Sequence, residues 1–229
     1  MASLPRYLII YNDCYFHLTW QCHNKSFYFK TNYFKKYYYD LLLKYKDRYQ
    51  IEIYSYCLMS SHVHLAGHCD KKENLSNFIR IVNSLFARHY NKKTGKRGQV
   101  CMDRFKSHVI EEDSALIKVM NYIDLNPVRA HIVKHPDKYR YSSFRHYAYG
   151  KTDPLITDSP IFLEFGNTDQ KRNEAYLQMV EEILKDEKLL FKKQNYSTTL
   201  FIGNPVWVKQ RYDNIKNHRT KNYKSLNST

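Results

Sequence analysis

None of the five cysteines, Cys14, Cys22, Cys57, Cys69 and Cys101, is spaced Cys-x-x-Cys from another. Without that spacing, neither a zinc ribbon nor a thioredoxin-like motif is indicated. An odd, scattered set suits a reducing compartment such as the bacterial cytoplasm. Long apolar runs are missing too. Leu8-Ile9-Ile10 is too short for the core of a signal peptide, and nothing later approaches a membrane span. No internal repeat is visible. Negative charge is scarce: 22 Asp+Glu against 37 Lys+Arg leave a formal net charge of +15. An excess of that sign points to a polyanionic partner, because Lys and Arg contacts to phosphate dominate nucleic-acid affinity.

What is present is the composition of a folded chain, 43% hydrophobic and 26% charged. A length of 229 residues holds one domain with a good core, or one domain and an appendage. Aromatic residues make up 16%, and 22 of them are tyrosines. Aromatics among basic residues suit stacking on unpaired bases, although most of these tyrosines are expected to cover a core.

The chain is organised around Tyr56-Cys57-Leu58-Met59-Ser60-Ser61-His62-Val63-His64-Leu65. On a strand, alternate side chains share a face, so His62 and His64 point one way and Val63 and Leu65 the other. Two imidazoles side by side form half of a metal site, though with 11 histidines the spacing also arises by chance. Three further stretches follow: Asp103-Arg104-Phe105-Lys106-Ser107, then Asn121-Tyr122-Ile123-Asp124-Leu125-Asn126-Pro127-Val128-Arg129-Ala130, then Tyr141-Ser142-Ser143-Phe144. In this order the four resemble the REP-associated tyrosine transposases, IS200-like members of the HUH single-strand DNA transposases. The resemblance covers roughly residues 10 to 150.

The resemblance implies an enzyme that cuts and rejoins single-stranded DNA beside hairpins, such as repetitive palindromic elements, acting as a monomer or homodimer. Tyr122 is the implied nucleophile. His62, His64 and Asn126, one helical turn after Tyr122, are the implied ligands of Mg²⁺ or Mn²⁺. Lys92, Lys93, Lys96, Arg97, Arg104, Lys106 and Arg129 are the expected nucleic-acid contacts. Without the family, Lys92 to Arg97 read as a solvated loop, Tyr122 as a packing residue, and Arg129 equally as a salt bridge closing a helix. Two departures stand out. Ser61 replaces the usual Asn, and Cys101-Met102 stand where many members carry an aromatic residue and Gln. Three functions remain open: an active transposase or nickase, a domesticated binder of hairpin DNA or RNA, and a metal-dependent hydrolase using water.

Residues 1 to 12 read as a poorly ordered arm, and Tyr15 to Gln21 as a strand in which His17 shares a face with Thr19. His17 rivals Asn126 as a third ligand, or is satisfied by a neighbouring carbonyl. Thr31 is placed to cap a helix to about Tyr45, and Asn74 or Ser76 one to about Tyr90. Strands are expected over Tyr49 to Cys57, with Ile51, Ile53 and Ser55 on one face, and over Phe105 to Ile110. Asp113 or Ser114 caps the next helix, with Glu111 and Glu112 at its positive end, and Pro127 stops it at Asn126. The order matches an α+β, ferredoxin-like antiparallel sheet with helices on one face. A catalytic domain over 1–150 precedes a linker at 151–160, a helix over 170–192, a helix opened by Asn204-Pro205 and a disordered basic tail from Lys216 to Thr229.

Overall fold

A computed structural model describes residues 9–101, 104–111, 114–192 and 195–226. Asp103, Glu112 and Asp113 lie outside the described residues. The β-branched and aromatic runs form β1 (Cys14–Gln21), β2 (Ile51–Leu58), β3 (His62–Cys69) and β4 (Lys106–Ile110). Helices α1 (Asn32–Lys46) and α2 (Lys72–Thr94) join them, and α3 (Ser114–Asp124) and α4 (Asn126–Arg129) follow β4. Further on come α5 (Phe144–Tyr149), α6 (Pro160–Leu163), α7 (Asp169–Lys185), α8 (Glu187–Leu190), β5 (Phe201–Ile202) and α9 (Pro205–Leu226).

The sheet order is β2-β3-β1-β4-β5. The first four strands pair antiparallel in the ferredoxin-like order. β5 adds to the edge parallel to β4, a strand of two residues too short to leave a sequence pattern.

Alternation on β1 divides the molecule. Leu18 and Trp20 face α1 and α2, where Trp20 donates to the Tyr38 hydroxyl at 2.7 Å and Phe29 stacks on Phe86 at 4.5 Å. His17 and Thr19 face the other way, and there α3 brings Tyr122 against the His17 ring. The helices expected on one face are present, and α3 covers part of the second. Both faces of the central strands are therefore buried, which is why β1 shows so little polar alternation.

Several local expectations shift. A bulge between Ile53 and Ser55 inserts Tyr54, so Ile53 faces Gly67 but Ser55 faces Ala66. One extra residue flips every later side chain, and Ser55 joins the histidine face instead of the Ile51–Ile53 face. Thr31 precedes α1 without a side-chain cap, and α2 starts at Lys72, so Asn74 and Ser76 lie inside it. Ile9 and Ile10 are buried in the core rather than part of a loose arm. The 170–192 helix breaks at Asp186, whose side chain caps α8. Asn204 does cap α9, accepting from Trp207 N at 3.0 Å, but that helix continues to Leu226. Glu111 turns from the start of α3 to Asn204, accepting its backbone N–H at 2.5 Å. The 151–160 stretch lies against β2 and α1: Leu155 is buried, and Asp153 accepts from the hydroxyls of Tyr39 and Tyr56. All five cysteines are free. Among the described residues, no helix is long and apolar enough to cross a membrane.

Candidate active site

The histidine face of the sheet is built by register. Thr19 lies opposite His64, Gln21 opposite His62, and His17 opposite His108. Opposed residues of antiparallel strands share a face, so the imidazoles of His62, His64, His17 and His108 run in a row across β3, β1 and β4. Above them α3 presents Tyr122, its ring 5.8 Å from that of His64 and 6.0 Å from that of His17.

A pocket of about 290 Å³ opens at the end of this row. His62, His64, Tyr122 and Asn126 line it, with Thr19 and Gln21 from β1. Arg104 and Lys106 supply positive charge at its wall, and Ser197 reaches in from the C-terminal extension. Asn126 sits one turn from Tyr122 because Leu125 keeps right-handed helical angles between α3 and α4. Its amide nitrogen donates to the Tyr122 carbonyl at 2.8 Å, which leaves Oδ1 as the free acceptor. The Tyr122 hydroxyl lies 3.3 Å from Ser197 Oγ. Arg129 stands outside the pocket lining, its guanidinium 5.1 Å from the Tyr122 ring centroid while it donates to the Lys192 carbonyl at 2.7 Å. Among the described residues it is thus held by a carbonyl and an aromatic face rather than by an acid closing the helix.

The imidazoles are kept neutral. Burial, then the neighbouring His108, pushes His17 down to about 3, against the carbonyl of Tyr196. Burial and the adjacent rings hold His64 well below the usual histidine range, and burial lowers His62. Neutral rings keep a lone pair for a ligand.

His17 does not reach the pocket as a third ligand. It is fully buried, with Nε2 3.0 Å from His64 Nδ1 and Nδ1 2.9 Å from the Tyr196 carbonyl. Lys92, Lys93, Lys96 and Arg97 are exposed at the end of α2 and in the loop after it, and none of them lines the pocket. Sequence reasoning missed Thr19, Gln21, Tyr196 and Ser197. Strand alternation from His17 leads to Thr19 and Gln21, whereas Tyr196 and Ser197 carried no signal in a stretch with no periodic pattern.

Residues 10–126 match the family model described as Transposase IS200 like. The chain belongs to the IS200-like transposase family. A solved structure described as a REP-associated tyrosine transposase bound to a REP hairpin shares the fold, at 20% identity and a TM-score of 0.54 over 70% of this chain and 93% of that one. No curated protein matches.

An IS200-like transposase implies a divalent metal, and the donors around the pocket fit one. Two imidazoles and the side chain of Asn126 line it, a mixed nitrogen and oxygen set of the kind that such an ion takes alongside phosphate oxygens and water. His62 Nδ1 lies 3.1 Å from Ser61 Oγ. A second group, Asp13, His68 and Asp70, also gathers ligand atoms. It lies four residues along β3 from His64, roughly 13 Å away, and His68 Nε2 is there hydrogen-bonded to Asp13 Oδ1 at 2.8 Å.

Proposed function

We propose that this transposase is a metal-dependent endonuclease that cleaves and rejoins single-stranded DNA beside hairpins through a 5′-phosphotyrosine. The observation that carries this reading is the convergence of Tyr122, His62, His64 and Asn126 on one basic pocket. His62, His64 and Asn126 would hold Mg²⁺ or Mn²⁺, which when bound supplies Lewis-acid polarisation and alignment of the scissile phosphate. Arg104 and Lys106 would grip the phosphates entering the pocket.

Tyr122 Oη forms the new bond to phosphorus as the bond from phosphorus to the 3′ oxygen breaks. The phenolic proton passes to water or a base, and the departing oxygen takes up a proton to become a 3′-hydroxyl. The phosphodiester energy stays in the tyrosyl bond. A second 3′-hydroxyl can therefore attack and rejoin a strand without ATP, an ability that simple hydrolysis lacks.

The test is Tyr122→Phe, which removes only the phenolic oxygen. Cleavage and the covalent adduct on denaturing gels are expected to vanish while hairpin binding stays at the wild-type level. Cleavage by the variant at the wild-type rate would favour a hydrolase using water. Hairpin binding by the wild type with no adduct would favour a domesticated DNA or RNA binder.

A further inference from the structure

The row of imidazoles ends on backbone carbonyls from the C-terminal extension. His17 Nδ1 faces the Tyr196 carbonyl at 2.9 Å, and His108 Nδ1 faces that of Thr199. A carbonyl only accepts, so His17 must carry its proton on Nδ1. A doubly protonated His17 would be a fully buried charge among His64, His108 and Tyr122, with no bond to a carboxylate among the described residues. His17 Nε2 therefore has a lone pair. The 3.0 Å contact with His64 Nδ1 is a hydrogen bond only if His64 donates. His64 then carries its single proton on Nδ1, and its Nε2 is the unprotonated nitrogen of a ring that lines the pocket.

We propose that His17 is a positioning residue that locks His64 in the Nδ1–H form, so that Nε2 is offered to the metal. The relay runs from a residue in the extension, through β1, to a ligand on β3. It rests on the reading of His62, His64 and Asn126 as metal ligands. Partners of this kind around metal-bound histidines set tautomer and ring orientation, and their loss typically costs 10–100-fold in metal affinity.

Two measurements on the full chain test it. The first is long-range ¹H–¹⁵N NMR of the histidines in metal-free protein. His64 is expected to be protonated on Nδ1, and a proton on Nε2 overturns the proposal. The second is calorimetric titration with Mn²⁺. His17→Phe keeps a ring of similar size but has no nitrogen, and is expected to bind Mn²⁺ about 10–100-fold more weakly. In His17→Gln, Oε1 can accept from His64 while the amide donates to Tyr196, so affinity is expected to stay well short of that loss of about 10–100-fold. Wild-type affinity in His17→Phe overturns the proposal. Should that variant fail to fold, a His17→Gln variant with His64 protonated on Nε2 overturns it equally. Mn²⁺ binding by wild type that His62→Ala leaves unchanged would refute the metal reading itself, and the proposal with it. A wild-type His64 tautomer that is right, together with unchanged affinity in His17→Phe, would refute the positioning role alone.

Discussion

His62 and His64 share a strand face but not an environment. His62 is half-buried at the pocket, whereas His64 is 4% exposed and bonded to buried His17. Both alanine variants are expected to lose metal-dependent cleavage. Only His64→Ala is expected to lose stability as well, because it strands the Nε2 of His17 without a partner, at a cost of about 1–3 kcal/mol. Urea denaturation of the metal-free proteins separates the two, and equal midpoints would contradict the difference. Alternation made the shared face legible from the sequence. It did not reveal depth, because burial of His64 depends on Tyr122 of the overlying α3 and on His17 beside it. The same holds for Lys35, a charge on the apolar face of α1 that is buried and donates to the Tyr139 hydroxyl at 2.7 Å.

At the scale of elements, α3 is held from behind. Tyr122 faces the pocket, and two residues on, Asp124 is fully buried, accepting from Ser143 Oγ at 2.6 Å and the Tyr176 hydroxyl at 2.7 Å. Ser143 Oγ also lies 2.9 Å from Ser55 Oγ on the strand that the bulge turned over. The Tyr141-Ser142-Ser143-Phe144 motif thus ties α3 to β2, and α7 adds Tyr176. Burial raises the Asp124 carboxyl to about 7, against the Ser143 and Tyr176 hydroxyls and the Phe144 backbone. The folded protein then binds a proton that the unfolded chain, with Asp near ~3.9, has released. This contribution is fully present below pH ~4 and is lost as pH rises through about 7. Asp124→Asn lacks that slope. Its melting temperature relative to wild type is expected to rise between pH 5 and pH 8, and a constant difference across that range would show that Asp124 does not titrate there. The motif was visible in the sequence, but its partner was not, since Tyr176 lies 52 residues from Asp124.

For the whole molecule, a net charge of +15 makes binding electrostatic first. Affinity for single strands is expected to fall with salt at a log–log slope of about −0.7 per phosphate neutralised. Lys106→Ala and Lys96→Ala should each flatten that slope by about 0.7 if both side chains contact phosphate. Only Lys106 lines the pocket, so only its loss is expected to slow cleavage at saturating DNA. Equal cleavage rates for the two variants would remove Lys106 from the site. The scissile phosphate must also bend toward Tyr122, and aromatic rings stack only on unpaired bases. A folded single strand is therefore expected to be cut and the same sequence as perfect duplex spared; equal cutting of both would indicate a duplex nuclease.

Period and order along the chain determined the four core strands, the helices between them, the shared face of His62 and His64, and the one-turn spacing of Tyr122 and Asn126. These are local consequences of backbone geometry, readable wherever side chains repeat at a fixed step. Only the tertiary structure decided the side on which Ser55 points, the exclusion of His17 from the pocket, and the arrival of Tyr196, Ser197 and Thr199 over the histidine row. The first depends on one inserted residue at a bulge. The others depend on contacts between segments up to 179 residues apart, which no local repeat encodes.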